Sequence, residues 1–125
     1  MLMISLSLMA GLAGAVPADQ PIGRETAIDF ASNGGLRDWQ RGPAGSNVVY
    51  VRDRTERWYQ VTLTGPCARY ASQDTLVYTT DNNGRFDTFS RVSVPQRMPG
   101  AVCGVTSIRI SLPPPGRPGA PKRRR

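Results

Sequence analysis

Two neighbouring segments decide what this chain can fold into. Asn47 to Arg52 carries Val48, Val49, Tyr50 and Val51, while Trp58 to Thr64 alternates Trp58, Gln60 and Thr62 with Tyr59, Val61 and Leu63. β-Branched and aromatic residues at a period of two build pleated strands, whose successive side chains point to opposite faces. Tyr59, Val61 and Leu63 form the apolar set and are expected to face a core. Between the segments lies Asp53-Arg54-Thr55-Glu56-Arg57, charged and of hairpin length, so the two strands are expected to pair antiparallel.

Weaker signals flank this pair. Ile28-Asp29-Phe30 alternates as a short strand would, Asn33-Gly34-Gly35 reads as a turn, and Leu36 to Trp39 fits a strand or a single helical turn equally well. Leu76 to Thr80 is a further strand, followed by Asp81-Asn82-Asn83-Gly84 with a tight turn at Asn83-Gly84. The chain returns through Phe86 and Phe89 to Val92 and Val94 and is stopped by Pro95. A last strand, Val102 to Leu112, has Val105, Ile108 and Ile110 as anchors. The expected fold is mainly β, a small antiparallel β-barrel or sandwich-like sheet of roughly five to six strands. A chain of 125 residues holds one such domain, expected over residues 19–112.

The ends set the compartment. Leu2 to Val16 is an apolar run without a charged side chain, with small residues towards and just past its end at Ala13-Gly14-Ala15 and Val16-Pro17-Ala18. Residues 1–18 therefore read as a secretory signal peptide, shorter than the ~20 apolar residues of a membrane-spanning helix. That places the chain in the periplasm or outside the cell. Its two cysteines, Cys67 and Cys103, are expected to pair there as a disulfide. Beyond Leu112, the run from Pro113 to Arg125 has no large apolar side chain and reads as a disordered, Pro-rich basic tail over residues 113–125. The net charge of +7 belongs to it, because Arg117, Lys122, Arg123, Arg124 and Arg125 are five of the 16 basic residues and leave eleven against nine acidic ones. The domain itself offers no basic face for specific nucleic-acid recognition.

The chain contains no histidine. That excludes Ser-His-Asp and Cys-His catalysis and imidazole zinc sites, and it leaves a cysteine pair no histidine to activate a thiolate. The carboxylates Asp29, Asp38, Asp53, Glu56, Asp74, Asp81 and Asp87 show no spacing that selects a glycosidase pair. Asp81 to Asp87 offers oxygen ligands, but its glycine comes fourth rather than sixth and no Glu closes it as a calcium loop. The residues thus point to no catalytic group, metal or cofactor, and to a non-enzymatic envelope module that binds a protein or ligand. Trp39, Tyr50, Trp58 and Tyr59 are the candidate surface, as a stacking platform beside Arg52 and Arg57, which could grip a phosphate or carboxylate. In a domain this small, large aromatic rings are more often the core itself. The alternatives are weak attachment of Lys122, Arg123, Arg124 and Arg125 to a polyanion or anionic membrane surface, and an unrecognised hydrolase.

Arg37-Asp38-Trp39, Val51-Arg52-Asp53, Arg57-Trp58-Tyr59, Leu63-Thr64-Gly65-Pro66-Cys67, Phe86-Asp87-Thr88-Phe89-Ser90 and Cys103 together resemble a family of small secreted proteobacterial proteins known as domain of unknown function 6491. The resemblance spans about Ile28 to Ile110, and its most specific part is the Gly-Pro-Cys ending with a second Cys before the last strand. It implies an exported bacterial domain and supplies no activity, cofactor or site residue. The Pro-rich tail lies outside it.

Overall fold

Val48 to Leu63 folds as its pattern predicts. β2 (Val48–Asp53) and β3 (Trp58–Leu63) pair antiparallel, with Val51 opposite Tyr59 and Val49 opposite Val61. Val49, Val51, Tyr59, Val61 and Leu63 are buried on the inner face. The turn between them is built on Asp53, whose Oδ1 accepts hydrogen bonds from the Thr55 hydroxyl and the amides of Thr55 and Arg57. Glu56 takes a left-handed conformation there, φ 73°, where a glycine would be at ease.

The computed structural model describes residues 21–70 and 76–121. The other elements are β1 (Leu36–Arg41), the single helical turn α1 (Cys67–Tyr70), β4 (Val77–Tyr78), β5 (Arg91–Ser93) and β6 (Cys103–Ser111). The six strands form one antiparallel sheet in the order β1-β2-β3-β6-β5-β4, curled into a half-barrel. β6 pairs along the whole of β3 and then with β5, bringing Ile108 and Ile110 inward beside Val61 and Tyr59. The segment before β1 is a strand less than its alternation promised. It touches the sheet through isolated bridges, Glu25 to Arg109 and Ile28 to Phe86, and Phe30 turns outward at φ 57°.

No ladder joins β1 to β4, the two edge strands. Side chains span that gap instead: the rings of Trp39, Tyr78 and Phe86 lie 5.7–6.4 Å apart in tilted and edge-to-face contact. The Tyr78 hydroxyl donates to the Ala31 carbonyl and accepts from the Leu36 amide. Gly35 is required here, since a Cβ would collide with the Phe30 carbonyl oxygen.

The turn at Asp81 to Gly84 forms, with Gly84 at φ 81° and its amide bonded to the Asp81 carbonyl. Its return limb pairs first with Ile28 through the buried Phe86, and β5 meets β4 only after Phe89, which is 87% exposed. Cys67, at the head of α1, and Cys103, at the head of β6, form the expected disulfide across 36 residues.

Candidate functional site

The expected surface residues do not share a surface. Trp39 and Tyr59 point into the half-barrel with the core. The Tyr59 hydroxyl donates to Asp53 Oδ2 at 2.9 Å, and burial, followed by the neighbouring Asp53 charge, pushes the phenol upward. Arg57 sits at the hairpin tip, its amide bound to Asp53. Tyr50, Arg52 and Trp58 lie on the other, outer face of the sheet, where strand pairing places them with Asp38, Gln40, Gln60, Arg109 and Ser111.

Asp38 owes its place there to a β-bulge. The register of β1 against β2 shifts between Leu36 and Asp38, so Leu36 faces inward opposite Asp53 while Asp38 turns outward opposite Arg52. Asp38 is only 6% exposed, and burying a carboxylate is costly unless its oxygens are bonded. Two guanidinium groups bond them. Arg52 reaches Oδ2 at 3.4 Å and also holds Glu56 at 3.1 Å. Arg117 takes both oxygens, Nη1 to Oδ2 at 2.6 Å and Nη2 to Oδ1 at 3.1 Å.

Arg117 comes from the segment expected to be solvated tail, and for residues 113–121 that expectation is overturned. Two successive Pro-Gly turns fold it onto the outer face. Arg117 N–H donates to the Pro114 carbonyl with Gly116 at φ 88°, and Ala120 N–H to the Arg117 carbonyl with Gly119 at φ 85°. Glycine at the third position with proline before it defines a type II turn. Pro114 is buried, and the Arg117 guanidinium covers the Trp58 indole 5.1 Å from its centroid. Gln40 completes the clamp, its Oε1 accepting from Arg117 Nε at 2.7 Å and its Nε2 donating to the Pro115 carbonyl at 3.0 Å. This explains why Trp58, on the face away from the core, is as buried as Tyr59.

One atom of the cluster is unsatisfied. Among the described residues, Arg52 Nε is buried without a hydrogen-bond partner, which costs about 1–3 kcal/mol. Two signals for this site were in the sequence: Pro115-Gly116 and Pro118-Gly119 are turn dipeptides, and the arginine between them is the one tail cation flanked by turns.

Other candidates have local duties. Asp81 Oδ1 accepts the amides of Asn83 and Arg85, and the Arg85 amide above all holds its carboxyl below the usual range. Asp87 binds the Phe89 amide, and Asp29 pairs with Arg85 at the surface. An open cleft of about 420 Å³ lies at the gap between β1 and β4, lined by Leu36, Trp39, Leu76, Val77 and Tyr78 under a polar rim. The expected leader over residues 1–18, Asp74, and the expected polyanion contact of Lys122, Arg123, Arg124 and Arg125 lie outside the described residues. Among the described residues no helix is long and apolar enough to cross a membrane.

The model of a family of unknown function, DUF6491, matches residues 1–111. The chain belongs to this family. No curated protein and no solved structure matches it. The match divides the site, since Asp38, Gln40, Tyr50, Arg52 and Trp58 are DUF6491 positions whereas Pro113 to Pro121, with Arg117, follow the matched region.

Proposed function

We propose that this DUF6491 chain is an exported, non-enzymatic interaction module of the cell envelope, and that the outer face of β1, β2 and β3 is its working surface for a polypeptide partner. The apolar leader and the Cys67–Cys103 disulfide support export, because such bonds persist in oxidising compartments. A single observation carries the binding role. A segment beyond the family-matched domain is seated on a face made of matched residues, through side-chain, backbone and ring contacts together.

The polar groups of this face point at a polypeptide rather than at a reacting bond. Asp38 and Gln40 present acceptors to a cation, Gln40 presents an amide to a backbone carbonyl, and Trp58 presents a flat apolar floor. Proline-containing segments suit such floors because proline restricts the free chain and little entropy is lost on docking.

The test uses the full-length chain with Arg117→Ala, which removes the guanidinium from the clamp and leaves every domain residue unchanged. A capped synthetic peptide of residues 112–121 is titrated into it by calorimetry. Saturable binding at one site is the expected result. No saturation up to about 1 mM, the order of effective concentration that a short tether provides, overturns the reading.

A further inference from the structure

The geometry points to a guanidinium receptor on this outer face, built from Asp38, Gln40 and Trp58, whose ligand is an arginine closing a Pro-Gly turn of a partner polypeptide. This rests on the interaction-module reading above and adds the chemistry that is recognised. In the resting chain Arg117 is the resident occupant, and a partner's arginine gains the site by displacing it.

Each nitrogen of the occupant is used. Nη1 and Nη2 fork onto the two oxygens of Asp38, Nε meets Gln40 Oε1, and the planar face lies over the Trp58 indole. A lysine ammonium is a point charge that can neither fork nor stack in this way. The receptor also reads what precedes the arginine. Gln40 Nε2 takes the carbonyl two residues earlier, at Pro115, and Pro114 is buried three residues earlier. Gly116, at φ 88°, supplies the positive φ that folds those two contacts and the guanidinium onto one side. Recognition therefore requires a proline-proline-glycine-arginine turn or its equivalent.

Two features make the occupant exchangeable. Arg117 keeps 30% of its side chain exposed, so its hold is partly open to solvent and competitors. Asp38 also keeps Arg52 as a partner when Arg117 leaves, so its charge is not stranded during exchange. The walls belong to the family-matched domain and the occupant does not, as expected of a receptor and a ligand joined in one chain.

The test varies the ligand and keeps the protein constant. Full-length Arg117→Ala is titrated with the capped 112–121 peptide, with the same peptide carrying lysine for arginine, and with one carrying the uncharged isostere citrulline; the wild-type chain is titrated in parallel. The expected result is binding of the arginine peptide, affinity about tenfold or more weaker for both substituted peptides, and binding to the wild-type chain weaker by a similar factor because its own tether competes. Lysine or citrulline peptides that bind within about twofold of the arginine peptide overturn the guanidinium receptor and leave the interaction module standing. Equal affinity for the wild-type and Arg117→Ala chains overturns the claim that Arg117 is the resident occupant. Absence of binding by the arginine peptide itself removes the interaction-module reading and this inference with it.

Discussion

Asp38 and Asp53 are equally buried, at 6% exposure, and a buried carboxylate has to find hydrogen-bond donors or destabilise the fold. They find them on opposite faces and from different sources. Asp53 is served locally, by its own turn and by Tyr59, whereas Asp38 draws on Arg52 of the neighbouring strand and on Arg117 from far along the chain. Tyr59→Phe removes one donor from Asp53 and should cost about 1–3 kcal/mol in urea unfolding. The pH dependence follows from the raised phenol. A group whose folded value lies above its unfolded value gives stability that is full below the unfolded value, here 10.0, and lost as pH rises through the folded one. The stability gap between wild type and Tyr59→Phe should therefore hold constant below about pH 9 and narrow above about pH 10. A gap that stays constant up to about pH 12 contradicts the buried Tyr59–Asp53 pair.

Strands were legible wherever alternation was strict. β2, β3 and β6 appear within a residue or two of their expected limits, because a half-buried sheet writes its period of two directly into the sequence. Elements set by tertiary contact were not legible. Ile28 to Phe30 shrinks to a bridge because Phe86 pairs with Ile28 alone before the chain turns away, and four residues are too few for α1 to show a helical period. Leu36 to Trp39 fitted a strand or a helical turn, and the inserted bulge explains why: it breaks the alternation that would have marked β1. The disulfide ties the head of α1 to the head of β6 over a separation of 36 residues, and a loop of that length destabilises the unfolded chain by about 4 kcal/mol in the chain-entropy model. The double variant Cys67→Ala, Cys103→Ala should lose stability on that order in denaturant unfolding. A loss below about 1 kcal/mol shows that the bridge adds little to a sheet already held by its core.

The molecule as a whole is a sheet with two working sides. Its inner face closes on Val, Ile and aromatic side chains and was readable from the apolar half of each strand. The outer face was not, because its organising group is an ion pair spanning 79 residues, Asp38 to Arg117, and pairings at such range leave no local period. Composition also misled: a segment without large apolar residues was expected to stay in water, yet a buried proline, two Pro-Gly turns and an arginine over an indole are sufficient to seat residues 113–121. The aromatic quartet was split for a related reason, since Trp39 and Tyr59 belong to the core face and Tyr50 and Trp58 to the outer one. The proposed guanidinium receptor depends on Arg117 being held by Asp38 in solution. A double-mutant cycle of Asp38→Asn and Arg117→Ala in the full-length chain, followed by urea unfolding, measures that hold directly. The account predicts a coupling of about 1.5–3 kcal/mol, the range of a hydrogen bond to a charged group, and single-variant losses that add within about 0.5 kcal/mol would contradict it.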